Sequence, residues 1–264
     1  MTESYELNQQ TARRYSRQMM LPQFGERCQR RLAAAKVLLV GLGGLGSLSA
    51  YYLAAAGVGR LKIVDCDRVA LENLNRQILY AVADIGRDKI AAAAERLAAL
   101  NPDCRIDAAC RRIDEAGAHS LAAGCDVIVD ATDSRSTRLA LNRASQNHGI
   151  PFVYGGIDGW NGSAAVFLPG KTACLACLVN PLHPVGETAR RPALGPTAGL
   201  VASIQCLQTL TILMGDHPPL AGCMLDIQGR EMRFRTVAVE RNPDCRICSR
   251  PHESRIAPAP KNQS

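Results

Sequence analysis

The sequence contains no run of five basic residues, although its formal net charge is +7. Lys plus Arg total 31 against 24 for Asp plus Glu, and the excess is scattered along the chain. Proteins that coat nucleic acids concentrate their positive charge, so this distribution favours anionic small molecules or an acidic protein partner. We therefore expect no nucleic acid among the partners.

The sequence also lacks a leader-like segment. Its first residues, MTESYELNQQ, contain no apolar stretch, so we expect a cytoplasmic protein rather than a secreted one. Residues 37–59 and 192–215 are uncharged and long enough to span a membrane. The first stretch is glycine-rich and the second carries Thr, Ser and Gln at helical spacing. Both are better interpreted as buried elements of one core, with no membrane involved.

A Ser-His or Cys-His arrangement for nucleophilic catalysis is missing as well. The histidines have no motif partners, and we interpret them as surface or structural residues: His119, His148, His183, His217 and His252. Chemistry at this protein is therefore expected to depend on positioning and on charge.

Apolar runs and helical patterns alternate through the first part of the chain. Strands are expected at 37–40, 61–65, 104–110, 126–131 and 151–154, with helices at 47–56, 87–100, 114–123 and 134–148. This alternation predicts an α/β fold with a Rossmann-like, mainly parallel sheet and helices on both faces. Antiparallel strands at 163–168, 223–227 and 232–237, and a helix at 198–214, are expected to extend it.

The organisation predicted for the whole chain is one domain over residues 1–248. It begins with an N-terminal helical segment, 1–35, in which residues 5–35 have a helical pattern. Residues 178–196 are irregular and contain several prolines, which predicts a crossover loop; long loops inside compact domains are usually functional. Residues 249–264 are expected to form a disordered tail.

Glycines cluster directly after the first predicted strand. Gly41, Gly43 and Gly46 form a G-x-G-x-x-G motif with Gly44 inside it, and the motif opens a helix. Backbone amides at such a helix N-terminus bind phosphate. Asp65 ends the next strand, where a carboxylate can hold ribose hydroxyls. The pattern predicts a nucleotide site; the alternative is a glycine-rich turn without a ligand.

Charged residues beyond the ribose carboxylate favour ATP over NAD or FAD. Arg76 and Lys89 suit a triphosphate, whose charge must be neutralised during displacement at phosphorus. Asp133 follows a later strand at the same edge of the sheet, where a carboxylate can hold Mg²⁺. Each residue alone has a plainer interpretation: surface charge for Arg76 and Lys89, and a helix N-cap for Asp133. Together they indicate a triphosphate site.

These residues, in this order, resemble the ThiF/MoeB/HesA family, the bacterial relatives of ubiquitin-activating enzymes. The resemblance covers residues 13 to 248. It is carried by Arg14-Tyr-Ser-Arg17-Gln18, the glycine motif, Asp65-Cys-Asp67, Asn73-Leu-Asn-Arg76-Gln77, Lys89 and Thr132-Asp133. It implies an adenylyltransferase that uses MgATP to adenylate the C-terminal glycine of a small ubiquitin-like sulfur-carrier protein of the ThiS/MoaD type. Pyrophosphate would be released, in a thiamin, molybdopterin or related pathway.

The resemblance also implies a role for each residue of the site. Arg17, Arg76, Lys89 and Asp133 would be catalytic, and Asp133 would also serve Mg²⁺. Arg17 would reach across a homodimer into the neighbouring site. The residues implied to bind ATP are Gly41, Gly43, Gly44, Asp65, Asp67, Glu72, Asn73, Leu74, Asn75, Arg76, Lys89, Asp133 and Ser134.

Four of the 11 cysteines form two Cys-x-x-Cys pairs. Cys174 and Cys177 make the first pair, and Cys245 and Cys248 make the second. Four thiolates suit tetrahedral Zn²⁺, and a closed shell of four sulfurs leaves no position for substrate, so the predicted zinc is structural. A redox pair and chance are the alternatives. The resemblance implies the same zinc site.

The predicted crossover loop lacks a cysteine, although related enzymes usually carry one there. Thr188 occupies the corresponding position, and the stretch from Val179 to Gln205 contains no Cys. We therefore expect the reaction to stop at the acyl-adenylate, without a covalent enzyme–carrier intermediate. Because little sequence follows Cys248, we expect sulfur to come from a separate donor protein.

The sequence is also compatible with other functions. A related enzyme could activate a different carboxylate or a modified tRNA base. A non-catalytic nucleotide-binding partner protein is a further alternative, against which the set of Arg17, Arg76, Lys89 and Asp133 argues. An NAD oxidoreductase ranks last, because hydride-transfer residues are missing.

Overall fold

The structure is a computed structural model that describes residues 9–178 and 192–249. Within these ranges the strands form one eight-stranded sheet, ordered β3-β2-β1-β4-β5-β6-β7-β8. Their bounds are β1 Lys36–Val40, β2 Arg60–Asp65, β3 Arg105–Cys110, β4 Val127–Asp130, β5 Phe152–Asp158, β6 Asn161–Phe167, β7 Cys223–Gln228 and β8 Arg233–Ala238. Strands β1 to β5 pair in parallel, and β5 to β8 pair antiparallel. The predicted mixed α/β sheet, extended by antiparallel strands, is confirmed.

The helices cover the sheet from two sides. Their bounds are α1 Gln9–Arg14, α2 Ser16–Met19, α3 Gly25–Ala34, α4 Gly44–Ala56, α5 Lys89–Leu100, α6 Glu115–Ala122, α7 Arg135–His148, α8 Leu175–Leu178 and α9 Gly195–Met214. Alternate residues of β1 separate two hydrophobic clusters. Val37 and Leu39 pack with residues of α3, α4, α5 and α9, whereas Leu38 and Val40 pack with residues of α6 and α7. This alternation follows from the two-residue period of a strand.

The N-terminal segment is helical, as predicted, but it is divided. In the described residues it forms three separate helices, α1, α2 and α3. The break before α3 contains Pro22, which disfavours helical geometry in the residue preceding it. Gly25 then starts α3 with φ +58°. The spacing of apolar and charged residues alone cannot reveal such a turn, because the residues on either side of it are good helix formers.

Several element boundaries differ from the prediction by a few residues. Helix α4 starts at Gly44 instead of residue 47, despite the poor helix propensity of glycine. Strand β5 begins within the predicted 151–154 stretch and continues to Asp158, where its second half pairs antiparallel with β6. Of the predicted crossover loop, residues 179–191 lie outside the described residues. The predicted tail lies outside them too, apart from Ser249.

Helix α9 is the one described helix whose length and composition would allow it to cross a membrane. In the fold it packs against α4, β5 and β6. Its polar residues Thr197, Gln205 and Thr209 are buried, and the Gln205 amide donates to the carbonyl of Asp130 at 2.8 Å. The helix therefore has the contacts of a core element, as predicted for residues 192–215.

Candidate active site

The glycine motif forms a turn between β1 and α4, at the carboxyl edge of the parallel strands. Gly41 has φ +88°, and a Cβ atom there would lie 2.6 Å from the carbonyl oxygen of Ala131, just after β4. A Cβ on Gly46 would lie 1.8 Å from the carbonyl oxygen of Gly41. No side chain caps the N-terminus of α4. Close packing thus requires the glycines, and the first N–H groups of α4 remain available for a phosphate.

Asp65 is fixed at the end of β2 by two backbone N–H groups. Leu42 N lies 2.6 Å from its Oδ2, and Asp67 N lies 2.8 Å from its Oδ1. A carboxylate oxygen accepts more than one hydrogen bond, so Asp65 can still bind ribose hydroxyls. The Tyr80 hydroxyl donates to the carbonyl of Leu42 at 3.0 Å. Leu42 is therefore held through both its N–H and its carbonyl group.

Tyr80 was not among the predicted site residues. Burial, with a smaller contribution from the nearby carboxylate of Asp65, raises the pKa of its hydroxyl, so the group remains a hydrogen-bond donor at neutral pH. Its signal in the sequence is weak, because a tyrosine in an apolar segment usually serves packing. Its role in shaping the glycine turn depends on a contact across 38 residues of sequence.

Lys89 starts α5 and is buried, with only 5% of its side chain exposed. Its ammonium lies 3.0 Å from Oδ2 of Asp67, whose side chain is 63% exposed. The backbone N–H of Lys89 also donates to the carbonyl of Asp67 at 2.9 Å. The interpretation of Lys89 as a surface charge is therefore wrong. A buried ammonium beside an exposed carboxylate is suited to an anionic ligand.

Arg76 lies against the first turn of α4. A Cβ on Gly44 would be 3.6 Å from Cγ of Arg76. Its guanidinium donates to the carbonyl of Glu72 at 2.8 Å and to Oδ1 of Asn75 at 3.1 Å. Oδ1 of Asn73 accepts the N–H of Ala70 at 3.1 Å and so shapes the same segment. Of the remaining predicted ATP residues in this segment, Glu72 and Asn75 are exposed and Leu74 is half-buried against the core.

Asp133 is exposed beyond the carboxyl end of β4. Within the described part of the chain its carboxylate makes no hydrogen bond or ion pair. Ser134 caps α7, since its side chain accepts the N–H of Thr137 at 3.3 Å. The interpretation of Asp133 as the N-cap is therefore wrong. Its carboxylate remains available for a ligand next to the glycine turn.

Arg17 is not brought into this group of residues. It lies exposed on α2 and forms no hydrogen bond or ion pair with residues of the described ranges. The structure thus joins Asp65, Lys89, Arg76 and Asp133 around one glycine turn and leaves Arg17 on the surface.

The two Cys-x-x-Cys pairs come together between α8 and the residues after β8. All four sulfurs lie within 4.8 Å of one another. Sγ of Cys174 is 4.0 Å from that of Cys177 and 3.7 Å from that of Cys245, and Sγ of Cys177 is 3.4 Å from that of Cys248. Four sulfurs at about 2.3 Å from a tetrahedral Zn²⁺ would be about 3.8 Å apart. The geometry of this cysteine cluster therefore fits a Cys₄ metal site.

Burial raises the pKa of Cys174 and of Cys248, whereas two features around the cysteine cluster favour thiolates. Burial opposes ionisation of Cys245, but the backbone N–H groups of Cys248 and Ile247 point to its sulfur and lower its pKa to about 7. Asn142 on α7 is buried, and its Nδ2 lies 3.6 Å from Sγ of Cys174. Its Oδ1 accepts the N–H of Leu175 at 3.0 Å, which orients the amide. Asn142 was not among the predicted residues.

Comparison with known proteins identifies the family. The model of the ThiF family matches residues 15–247. The chain belongs to the ThiF family. This match extends over nearly all the described elements, from α2 to Ile247, the residue before the last cysteine of the cluster.

Known proteins are similar to this chain over most of their length. The sulfur carrier protein adenylyltransferase of Thermus thermophilus is 40% identical over 243 residues, which cover 89% of this chain and 90% of the relative. The SAMP-activating enzyme E1 of Haloferax volcanii is 38% identical over 239 residues, covering 89% and 88%. The crystal structure of E. coli MccB with ATP has a TM-score of 0.81 at 22% identity, covering 93% of this chain and 75% of MccB. That likeness supports the fold.

Proposed function

We propose that this ThiF-family protein is an adenylyltransferase acting on the C-terminal carboxylate of a small ubiquitin-like sulfur-carrier protein ending in Gly-Gly. The observation that carries the proposal is one arrangement of groups. The glycine turn, the buried ammonium of Lys89 and the available carboxylate of Asp133 lie at the carboxyl edge of the parallel strands. The assigned names of the ThiF-family relatives, which are 40% and 38% identical, support the same activity.

The proposed reaction needs no general base. The terminal carboxylate of the carrier is already ionised at pH 7. One of its oxygens attacks the α-phosphorus of ATP and forms a carboxyl–phosphate bond. The bond from this phosphorus to the oxygen bridging the α- and β-phosphates breaks, and pyrophosphate leaves with the electron pair. A site without a Ser-His or Cys-His pair suits this displacement, which requires alignment and relief of charge repulsion.

Each group of the site then has a role. The N-terminus of α4 receives phosphate oxygens, and Asp65 holds the ribose. Arg76 and Lys89 neutralise the charge of the triphosphate in the transition state. Asp133 would hold Mg²⁺, which when bound neutralises phosphate oxygens.

A homodimer with Arg17 acting in the neighbouring site is part of the proposal. Two observations support it. Arg17 is exposed and makes no polar contact with the rest of the described chain. An apolar window of helix α9 has a mean hydropathy of 1.4; 44% of it is buried within one chain, and most of the other residues of the helix are half-buried. Tyr52 and Leu207, on the packed helices α4 and α9, are 52% and 62% exposed, and a second copy would cover such surface.

We further propose that the cysteine cluster holds a structural Zn²⁺ within a single domain over residues 1–248. The sulfur separations and the backbone N–H groups at Cys245 support this assignment. The zinc would attach the segment after β8 to α8. Sulfur would be supplied by a separate donor protein, and the pathway would operate in the cytoplasm.

Isotope exchange between pyrophosphate and ATP tests the proposed function. Exchange should appear with MgATP and a carrier ending in Gly-Gly, and it should disappear when the carrier lacks its last residue. Equal exchange with the shortened carrier would contradict the substrate assignment and favour another carboxylate. ATP binding without exchange in the presence of candidate carriers would favour a non-catalytic nucleotide-binding partner protein.

A further inference from the structure

Thr132, the residue before Asp133, is held from two sides by a buried ion pair. Oδ1 of Asp130 accepts both the N–H and the hydroxyl of Thr132, at 3.0 and 2.7 Å. Nε of Arg138 donates to the carbonyl of Thr132 at 3.1 Å. The same Nε lies 3.2 Å from Oδ2 of Asp130. All the hydrogen-bonding groups of Thr132 are therefore engaged by one ion pair.

Arg138 also joins this strand end to β5. Its Nη2 donates to the carbonyl of Gly155 at 3.0 Å, and its Nη1 lies 3.4 Å from the hydroxyl of Tyr154. The guanidinium lies 4.9 Å from the centre of the Tyr154 ring. Only a planar group with donors in several fixed directions makes these contacts at once, and the single ammonium of lysine does not.

Burying the ion pair costs desolvation free energy, which limits what the pair contributes to the stability of the fold. The side chain of Asp130 is 0% exposed and that of Arg138 is 20% exposed. Buried ion pairs often contribute no more to stability than apolar residues of similar volume, because desolvation offsets the attraction. The pair is therefore better explained by the geometry it imposes than by the stability it adds.

The ion pair of Asp130 and Arg138 constrains the backbone next to Asp133 and so the place of the Asp133 carboxylate. That carboxylate makes no hydrogen bond or ion pair within the described residues that would fix its place, although its charge interacts with that of Arg138. Its position is set by Thr132 on one side and by Ser134, the N-cap of α7, on the other. The carbonyl of Ala131, two residues before Asp133, packs against Gly41. The position of this segment is therefore also fixed relative to the glycine turn.

We infer that Asp130 and Arg138 are positioning residues that fix the Asp133 carboxylate relative to the glycine turn for a magnesium-bound triphosphate. The inference rests on the proposed function in requiring an ATP site that includes Asp133. It requires no particular carrier.

Equilibrium binding of ATP, measured with Mg²⁺ and separately with EDTA, tests the inference on the full chain. Arg138→Lys keeps a positive charge beside Asp130 but loses the directed donors to Thr132 and Gly155. Its affinity for MgATP should fall roughly tenfold, the size of effect expected for a residue that orients a metal ligand, while binding in EDTA stays close to wild type. Arg143→Lys, at an exposed position of the same helix, is the matched control and should bind like wild type.

A double variant separates positioning from a general structural role. In Asp133→Ala the magnesium-dependent affinity should already be lost, and adding Arg138→Lys should weaken MgATP binding no further. Equal weakening in Mg²⁺ and in EDTA, or an additive loss in the double variant, would overturn the inference. If Arg138→Lys does not fold, Asp130→Asn should show the same magnesium-specific loss, and wild-type MgATP binding by that variant would overturn it. ATP binding is measured here without a carrier protein. Failure of ATP–pyrophosphate exchange with every carrier would therefore count against the proposed function and not against this inference.

Discussion

The ammonium of Lys89 lies 3.0 Å from the carboxylate of Asp67, and the lysine is buried while the aspartate is largely exposed. This asymmetry places a positive charge, already stripped of most of its water, at the residues that follow β2, where the backbone N–H of Asp67 donates to Asp65. A charge in that environment interacts strongly with phosphate, because the screening by solvent is reduced.

Replacing Lys89 tests this role. Lys89→Ala should lower the rate of carrier-dependent ATP–pyrophosphate exchange by about 10²–10³, the loss typical when one charge-stabilising donor is removed. Lys171→Ala, at an exposed position outside the site, should leave the rate unchanged. Far-ultraviolet circular dichroism of both variants checks that they are folded. Wild-type exchange by Lys89→Ala would contradict a role in the reaction.

Subunit mixing tests whether Arg17 acts in the neighbouring subunit. Arg17→Ala and Asp133→Ala should each be inactive in exchange. After mixing in equal amounts, hybrid dimers would contain one site with both residues intact, so activity should recover to about a quarter of wild type. Each variant incubated alone is the control. If subunit exchange is verified and no activity returns, Arg17 acts in its own subunit or not at all.

The sequence predicted the sheet and the glycine turn because their signals are local. The apolar run of β1, the glycines and Asp65 carry their patterns within a few residues. The ion pair of Asp130 and Arg138 has no such signal. Its partners are brought together by the pairing of β4 with β5 and by the start of α7. The one local hint is that Asp130 is a charged residue at the end of an apolar strand, which indicates that its side chain needs a partner.

Metal analysis tests the cysteine cluster. The purified protein should contain one zinc per chain, and Cys174→Ser should lose the metal and lower the melting temperature. Binding of a structural metal is coupled to folding, so its loss should reduce stability before it affects the reaction. Cys110→Ser, an exposed cysteine outside the cluster, should retain the zinc. A metal-free protein that is fully stable would contradict the assignment.

Asn142 provides a finer test of the same site. Because its amide donates toward Cys174 and accepts the N–H of Leu175, Asn142→Ala should weaken zinc binding about tenfold, as expected for a partner of a metal ligand. Competition with a chromogenic chelator measures this change. Asn147→Ala, on the same helix but outside the contacts of the cysteine cluster, is the control. Equal zinc affinity in wild type and Asn142→Ala would show that the contact does not support the metal.

The missing loop thiol leads to a prediction about the end of the reaction. Thr188 stands where related enzymes usually carry a cysteine, in the segment outside the described residues. A threonine hydroxyl without an activating base is a far poorer nucleophile than a thiolate at pH 7. Cys206, the next cysteine along the chain, is buried on α9, and burial raises its pKa to about 12, so it cannot substitute. The enzyme should therefore stop at the acyl-adenylate and release it to an external sulfur donor.

Intact-mass spectrometry of enzyme, MgATP and carrier, with and without reductant, tests this prediction. The wild-type enzyme should remain at its own mass throughout. Thr188→Cys is the matched variant, because it returns a thiol to the loop and should allow an adduct with the carrier that hydroxylamine cleaves. An adduct on the wild-type enzyme at any cysteine would show that a covalent step occurs by another route. Among the described residues, Cys66 and Cys110 would be the first positions to map. Both are exposed and accessible to a carrier, whereas Cys206 is buried.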